Sequence, residues 1–264
     1  MALASGAGAG TMSAVALDLS VLVVHHQQPR QLAQALASVR LQIPCAREVL
    51  VVDDGSGSCP ELDKAIAASG LEVRLLRLTP CSGGPATPRN QGLAAARGHY
   101  VAFLDADDAW LPGHLAALER AWALEPGAMV HGDQLVWGPD LRQPFLQAGL
   151  TTQPNGAATY SALRRGGNRI FLSSTAGPTD VLGAAGFDPD HRWEDFDLWL
   201  RLSRAGQTFR HSGHCGTLYR LTPGSRSASR SARCQGGHQL ARDHFNDLPR
   251  WRWPLWLQRS FLPL

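Results

Sequence analysis

The chain has 264 residues, of which 44% are hydrophobic and 18% charged, and its formal net charge is +3. This length and apolar content suffice for one large domain with a buried core. The charge lacks the strong positive excess that is typical of nucleic-acid-binding proteins. We therefore expect no nucleic-acid partner, and an anionic partner that is either a small phosphate ligand or an acidic membrane surface.

Cysteine usage and the first residues bear on the cellular compartment. The five cysteines are scattered without a Cys-x-x-Cys pair, which disfavours a zinc site or a disulfide framework and favours reduced thiols. Residues 1–16 are rich in Gly and Ala and lack the basic start and apolar core of a signal peptide. No run reaches the roughly 18 apolar residues that span a bilayer. These patterns predict a cytoplasmic protein.

Apolar runs and helical patterns alternate over the first half of the chain. The runs are rich in β-branched residues and predict strands at Leu19–Val24, Glu48–Val52, Leu71–Leu76 and Tyr100–Leu104. The intervening patterns predict helices at Pro29–Leu41, Leu62–Ala68 and Ala86–Arg97. This alternation predicts an α/β fold with a parallel sheet between helix layers.

The second half has a looser rhythm. It predicts, in chain order, a helix at His114–Leu124, a strand at Met129–Trp137, a long loop with one short helix at Gly138–Gly167, an amphipathic helix at Glu194–Ala205 and a mobile, basic stretch at Gly224–Gly237. The amphipathic helix is expected to bury four apolar side chains: Phe196, Trp199, Leu200 and Leu202. The Trp-rich tail Trp251–Leu264 fits a membrane surface or packing on the domain, and both interpretations stay open.

Two acidic turns follow predicted strands. Asp53 and Asp54 come after the second strand, and Asp105, Asp107 and Asp108 come after the fourth. Ligands of open parallel sheets bind beyond the carboxyl ends of the strands. Asp105 and Asp107 lie two residues apart, so an extended chain turns both toward one face, where they suit Mg²⁺ or Mn²⁺. The alternative is a plain helix cap, with Asp108 as the capping residue.

A glycine turn precedes the third predicted helix. In CSGGPATPRNQG, residues 81–92, the glycines let backbone N–H groups approach an anion, and Arg89 has the planar fork that suits a phosphate. A solvated, flexible turn is the alternative. The chain lacks GxxxxGK[ST], and His25-His26-Gln27 follow the first strand in place of GxGxxG, which disfavours a P-loop and a dinucleotide fold.

Taken in order, these segments resemble the family-2 glycosyltransferases of the GT-A fold. The resemblance is carried by VVDDGS at 51–56, by the run from GGPATPRNQG through FLDADDAWLP at 83–112, and by GFDPDHRWEDFDLWLRLSRAG at 186–206. It implies a mainly parallel central sheet flanked by helices. The implied organisation is a flexible lead-in at 1–17, a GT-A domain at 18–225 with a nucleotide-binding half at 18–112 and an acceptor-binding half at 113–225, and a basic, Trp-rich tail at 226–264.

The resemblance also implies roles for individual residues. Asp54, supported by Asp53, would hold the nucleobase, Arg89 would lie beside the nucleotide, and Asp105 would lie near the ribose. Asp107 of the DxD motif would bind the Mn²⁺ or Mg²⁺ of the diphosphate. Asp195, preceded by Glu194, would be the catalytic base. His211 and His214 are candidates for extra metal ligands, with a structural role as the alternative.

The implied function is a metal-dependent, inverting glycosyltransferase of the hexosyltransferase type, EC 2.4. UDP-sugar is the expected donor, with GDP- and dTDP-sugars as alternatives, and the acceptor would be a saccharide or lipid-linked hydroxyl. Composition and size suggest bacterial polysaccharide or glycoconjugate synthesis, in the cytoplasm or at the inner face of the cell membrane. A sugar-nucleotide nucleotidyltransferase is disfavoured because no Gly-rich loop with Arg or Lys follows the first strand. A catalytically degenerate nucleotide-binding relative stays open because His25-His26 depart from the family pattern.

Overall fold

The structure, a computed structural model, describes residues 16–139, 141–151, 156–221 and 230–259. Its strands are β1 Leu17–His25, β2 Ala46–Asp54, β3 Val73–Leu78, β4 Tyr100–Asp105, β5 Ala109–Trp110, β6 Met129–Trp137, β7 Phe145–Gln147, β8 Ala176–Pro178 and β9 Phe209–Arg220. Its helices are α1 Pro29–Arg40, α2 Pro60–Ser69, α3 Ala86–Ala95, α4 His114–Leu124, α5 Gly156–Gly166, α6 Thr179–Ala185, α7 Glu194–Arg204, α8 Arg230–His244 and α9 Leu255–Arg259. Short 3-10 helices lie at Leu172–Ser174 and Arg250–Arg252.

The first half of the described chain forms the predicted parallel sheet. Strands β3, β2, β1 and β4 lie side by side in that order, all parallel. The chain moves outward from β1 to β2 and β3 and then returns to the other side of β1 as β4. This reversal leaves a crevice at the carboxyl ends of β1 and β4, where open α/β sheets bind their ligands.

The second half extends the same sheet with mixed pairing. Strand β8 runs antiparallel to β4 and to β6, while β9 runs parallel to β6 and antiparallel to the short β5. The expected mainly parallel sheet is therefore parallel in its first half and mixed in its second. Because β5 directly follows the turn at Asp105–Asp108, its pairing with Leu218 and Thr217 brings the end of β9 to the acidic turn.

Alternating side chains of the central strands feed two apolar clusters, one on each face of the sheet. Leu22 and Phe103 point into one cluster, while Val21, Val23 and Leu104 point into the other. This is the period of two that an extended strand imposes. Because both faces are covered by helices, these strands read as continuous apolar runs in the sequence.

Most predicted elements are confirmed, and their differences from the structure lie at ends and in loops. Asp53 and Asp54 are the last residues of β2, not a turn after it. Helix α3 ends at Ala95, two residues before the predicted end at Arg97, and the following Gly98 lies against β1, where an added Cβ would come within 2.5 Å of the Ser20 nitrogen. The long loop 138–167 contains the small strand β7, which pairs with β6, as well as helix α5.

The C-terminal segment packs on the domain over its described residues. Helix α8 begins at Arg230, so 230–237 of the stretch expected to be mobile is helical, while 222–229 lie outside the described residues. Leu240, Phe245 and Leu257 are buried in the same cluster as Phe196 of α7. The tail therefore packs on the domain through Leu257, the membrane-surface interpretation stays open for its exposed residues Trp251 and Leu255, and the proposed boundary at 225/226 stays a prediction. Among the described residues, no helix has the length and apolar character needed to cross a membrane.

Candidate functional site

The candidate site lies at the carboxyl edge of β1, β2 and β4. The register pairs His25 of β1 with Asp53 of β2, and Val24 of β1 with Asp105 of β4. Both acidic segments therefore end at nearly the same level of the sheet. The sequence predicted this convergence from the parallel alternation of strands and helices.

Asp53 is turned into the protein. The residue is 2% exposed, and its Oδ1 accepts hydrogen bonds from Nδ1 of His25 at 2.9 Å and from the hydroxyl of Ser56. Nε2 of His25 accepts the backbone N–H of Gln28 at 3.0 Å, which places the ring proton on Nδ1. Burial lowers the pKa of His25 despite the carboxylate beside it, so the neutral ring is favoured. His25 therefore secures the end of β2.

Asp54 joins the acidic strand end to the glycine turn. Its Oδ1 accepts the backbone N–H of Ser82 at 2.8 Å, and its Oδ2 accepts the Ser82 hydroxyl at 2.9 Å. His26 donates from Nδ1 to the Asp54 carbonyl at 2.8 Å. Gly55, with φ of +71°, lets the turn pass close to Cys81, where an added Cβ would come within 2.5 Å of the backbone nitrogen. The acidic end of β2 and the glycine turn, which are separate motifs in the sequence, thus contact each other in the structure.

Arg89 connects the acidic turn of β4 to the start of α7. Its Nη2 donates to Asp105 Oδ1 at 2.8 Å and its Nη1 to Glu194 Oε1 at 2.7 Å, and the residue is 4% exposed. Burial alone would lower the pKa of Arg89, but the carboxylates of Asp105 and Glu194 outweigh burial and raise it. The expected position of Arg89 beside a nucleotide stays a prediction. The bridge itself could not be foreseen from the sequence, because the two carboxylate partners lie 16 and 105 residues away along the chain.

Asp195 is held next to this bridge in the first turn of α7. Its Oδ1 accepts the backbone N–H of Phe196 at 2.7 Å, and its Oδ2 accepts the side-chain amide of Asn168 at 3.1 Å. Burial raises the pKa of Asp195 to about 6, and the neighbouring Glu194 carboxylate adds to the rise while Arg89 opposes it. A carboxylate with a pKa near neutrality is suited to accept a proton from a hydroxyl. No sequence motif had pointed to Asn168.

The acidic turn is braced from behind by Asp108 and Ser173. Asp108 Oδ2 accepts the Ser173 hydroxyl at 2.6 Å, and Oδ1 accepts the backbone N–H of Arg220 at 3.0 Å. The same hydroxyl oxygen accepts the backbone N–H of Asp105 at 3.1 Å. Burial, followed by repulsion from Asp105 and Asp107, raises the pKa of Asp108 well above its usual range. The helix-cap alternative is wrong for Asp108, because the N-cap of α4 is Gly113.

Asp105 and Asp107 lie two residues apart in the acidic turn, and both are partly exposed. In the part of the chain that the structure describes, no three His, Cys, Asp or Glu side chains converge as a ready-made metal site. Two neighbouring carboxylates nevertheless fit Mg²⁺ or Mn²⁺, which commonly takes one or two from the protein and the rest from water and phosphate. The oxygen donors of this turn therefore match the predicted metal.

The two late histidines are bonded within the protein. His211 Nδ1 accepts the backbone N–H of Gly213 at 3.0 Å, which leaves Nε2 to donate to Asp133 Oδ1 at 3.0 Å. His214 Nε2 donates to the carbonyl of Pro112 at 3.1 Å. These bonds support the structural alternative for both rings, and their role as extra metal ligands stays a prediction.

Comparison with known proteins agrees with this geometry. The family model described as "Glycosyl transferase family 2" matches residues 20–176. The chain is 31% identical over 233 residues to the O-antigen biosynthesis protein RfbC of Myxococcus xanthus, covering 80% of this chain and 16% of that protein. It is 30% identical over 203 residues to the pre-mycofactocin glycosyltransferase of Mycobacterium tuberculosis, covering 74% of this chain and 41% of that protein. The chain thus spans less than half the length of either relative.

Two solved structures share the fold. A Staphylococcus aureus TarS fragment in complex with UDP-GlcNAc superposes with a TM-score of 0.64 at 18% identity, covering 84% of this chain and 66% of that chain. The mannosyltransferase PcManGT from Pyrobaculum calidifontis, in complex with GDP-Man and Mn²⁺, superposes with a TM-score of 0.61 at 20% identity, covering 86% of this chain and 65% of that chain. The predicted GT-A fold is confirmed.

Proposed function

Because the chain belongs to glycosyl transferase family 2, we propose that it is a metal-dependent, inverting hexosyltransferase of class EC 2.4. It would move a sugar from a nucleotide donor to an acceptor hydroxyl. The observation that carries this proposal is the Arg89 bridge between Asp105 and Glu194. It holds Asp105, a candidate donor-binding carboxylate, and Glu194, the neighbour of the candidate base Asp195, within one connected site.

The donor is proposed to lie along the carboxyl edge of β2 and β4. Asp54, supported by Asp53, would recognise the nucleobase, because carboxylates accept hydrogen bonds from ring N–H groups. Asp105 would lie near the ribose and Arg89 beside the nucleotide. UDP-sugar is the first candidate and GDP-sugar the second, since the two structural neighbours contain UDP-GlcNAc and GDP-Man. A dTDP-sugar is the remaining alternative.

Asp107 is proposed to hold Mn²⁺ or Mg²⁺ against the diphosphate. The bound metal would offset the negative charge that builds on the departing nucleoside diphosphate. PcManGT was solved with Mn²⁺ and GDP-Man, which supports the choice of ion. Asp108 would serve this site indirectly, because its bonds to Ser173 and Arg220 fix the shape of the turn.

Asp195 is proposed to remove the proton of the acceptor hydroxyl. Its pKa of about 6 leaves most of the carboxylate ionised at neutral pH and strengthens it as a proton acceptor. Glu194 would act through Asp195, because its carboxylate raises the pKa of that neighbour while Arg89 holds it in place. Attack from the face opposite the leaving group would invert the anomeric configuration.

The acceptor is proposed to be a saccharide or lipid-linked hydroxyl in polysaccharide or glycoconjugate synthesis. Names such as O-antigen biosynthesis protein and succinoglycan biosynthesis protein among the relatives support this. We place the enzyme in the cytoplasm, with peripheral contact to the inner membrane face through the tail. Trp251 and Leu255 are 79% and 68% exposed, and Arg250 and Arg252 flank Trp251, a pattern that suits an anionic lipid surface.

Calorimetric titration tests the donor site first. UDP, GDP and dTDP are each titrated in Mn²⁺ and in EDTA, with wild type, Asp107→Ala and Asp195→Asn. We expect one diphosphate to bind only with metal, to lose that binding in Asp107→Ala and to keep it in Asp195→Asn.

Turnover then separates an enzyme from a degenerate binding protein. Asp195→Asn should lose turnover of the sugar nucleotide that contains the bound diphosphate, whereas a binding protein would be indifferent to the substitution. Failure of all three diphosphates to bind in Mn²⁺ would refute the assignment of the acidic turn.

A further inference from the structure

Asn168 is fixed at both ends of its side chain. Its Oδ1 accepts the backbone N–H of Ile170 at 3.3 Å, so its Nδ2 is the end that faces Asp195 Oδ2, at 3.1 Å. A backbone N–H can only donate, so the flipped amide would break the bond to Ile170. The orientation of this amide, and of the carboxylate it meets, is therefore determined by the loop that carries Asn168.

Trp256 of α9 packs against the residues next to this pair. Gly167, with φ of +79°, precedes Asn168, and a Cβ added there would come within 3.4 Å of the Trp256 ring. Phe196 follows Asp195, and its ring centroid lies 5.5 Å from that of Trp256. The indole N–H of Trp256 also donates to the carbonyl of Arg164 at 3.1 Å. Trp256 thus packs against the neighbours of both partners in the Asn168–Asp195 hydrogen bond: Gly167 beside Asn168, and Phe196 beside Asp195.

We propose that the C-terminal segment positions the catalytic base: Asn168 orients Asp195, and Trp256 holds the Asn168 loop against the start of α7. This assigns the inner face of the tail a role in the site. The inference rests on the proposed function only in naming Asp195 as the base, because the contacts between Trp256, Asn168 and Asp195 stand independently of the reaction.

The other groups that face Asp195 define what the amide contributes. Glu194 raises the pKa of Asp195, and Arg89, which also binds Asp105, lowers it. The backbone N–H of Phe196 and the Asn168 amide both bond the ionised carboxylate and lower its pKa as well. Removing the amide therefore leaves the Asp195 carboxylate less well oriented and raises its pKa further.

The first test follows Asp195 directly. In protein labelled with ¹³C at aspartate carboxyls, the Asp195 signal is identified by its absence in Asp195→Asn and titrated in each variant. We expect a higher titration midpoint in Asn168→Ala and in Trp256→Ala, and an unchanged midpoint in two neighbouring controls, Arg169→Ala and Trp251→Ala. Unchanged midpoints in both test variants would overturn the proposal.

Trp256→Phe covers the case in which Trp256→Ala fails to fold. Phenylalanine keeps a ring against Gly167 and Phe196 but cannot donate to the carbonyl of Arg164. We expect its midpoint to move in the same direction by a smaller amount. A wild-type midpoint in folded Trp256→Phe together with a wild-type midpoint in Asn168→Ala would equally overturn the proposal.

Turnover separates failure of this inference from failure of the proposed function. We expect kcat to fall about tenfold in Asn168→Ala, part of the 10²- to 10⁴-fold that a positioned base contributes, with donor KM unchanged. The dependence of kcat on pH is measured for the same variants. If Asp195→Asn is inactive but Asn168→Ala keeps the wild-type kcat and the wild-type fall of kcat at acidic pH, the positioning role alone is refuted. If Asp195→Asn keeps full turnover, the base assignment itself is refuted.

Discussion

Two parts of the site stabilise buried negative charge differently: the donor edge, which is Asp53 and Asp54 at the end of β2, and the base corner, which is Glu194 and Asp195 at the start of α7. At the donor edge, Asp53 and Asp54 are bonded by serine hydroxyls, a backbone N–H and a neutral histidine. At the base corner, Glu194 is bonded by the full positive charge of Arg89. Neutral polar groups suffice for Asp53 and Asp54, whereas Glu194 depends on one cation brought from α3. The corner should therefore be the more fragile region.

Arg89→Ala should produce the largest effect. It would leave Asp105 and Glu194 without their buried counter-charge, and breaking a buried ion pair from one side costs about 3–5 kcal/mol. We expect the free energy of unfolding, measured in urea, to fall by that order. Arg47→Ala, which removes the exposed pair with Asp18, should leave unfolding unchanged. An unfolding cost for Arg89→Ala no greater than that for Arg47→Ala would show that the base corner does not depend on its buried counter-charge.

Asp195→Asn should abolish turnover and stabilise the fold above neutrality. A folded-state pKa of about 6, raised from 3.8, means that protonation of Asp195 stabilises the fold below pH 3.8 and that this contribution is lost as pH rises through 6. With a discount for partial exposure, the variant should gain about 1–2 kcal/mol at pH 8 over wild type. Thermal and urea unfolding at pH 4 and pH 8 measure this, and an equal difference at both pH values would refute the raised pKa.

Ser173→Ala tests the brace behind the acidic turn. It removes the donor to Asp108 and the acceptor of the Asp105 N–H, so we expect a loss of about 1–3 kcal/mol in unfolding free energy. Metal-dependent binding of the nucleoside diphosphate should weaken as well, because the turn carries Asp105 and Asp107. Ser161→Ala, on α5 outside the site, is the matched control. Wild-type nucleotide binding in Ser173→Ala would show that the turn keeps its shape unaided.

The smallest expected effect concerns the outer face of the tail. Trp251→Ala combined with Leu255→Ala should lower binding to vesicles containing anionic lipid about tenfold or less, since two exposed apolar side chains are lost. Co-sedimentation with anionic and with neutral vesicles measures this, and turnover on a soluble acceptor should not change. Equal binding by the double variant and wild type would refute the membrane contact while leaving the inner face of α9 unaffected.

The fold and the donor edge could be predicted from sequence because their signals are local. The apolar runs that form β2 and β4, and the acidic residues at their carboxyl ends, indicate both the strand and its chemistry within a few residues. At the base corner, only Glu194 and Asp195 could be recognised from the sequence. They are recognised through the family resemblance, because an acidic first turn is also common in helices without a catalytic role. Asn168, Ser173 and Trp256 lie in segments without a motif, and their partners are set by tertiary packing. The ionic partners of Arg89 escaped prediction for the same reason.

The guanidinium of Arg89 has one positive charge and two carboxylate partners, and Asp195 lies within its field. Protonation of Asp195 and the charge around Asp105 are consequently thermodynamically linked. Added negative charge near Asp105 would raise the proton affinity of Asp195, and added positive charge would lower it, with the reciprocal effect of equal size. Charge near Asp105 and the proton on Asp195 would thus be electrostatically coupled through Arg89.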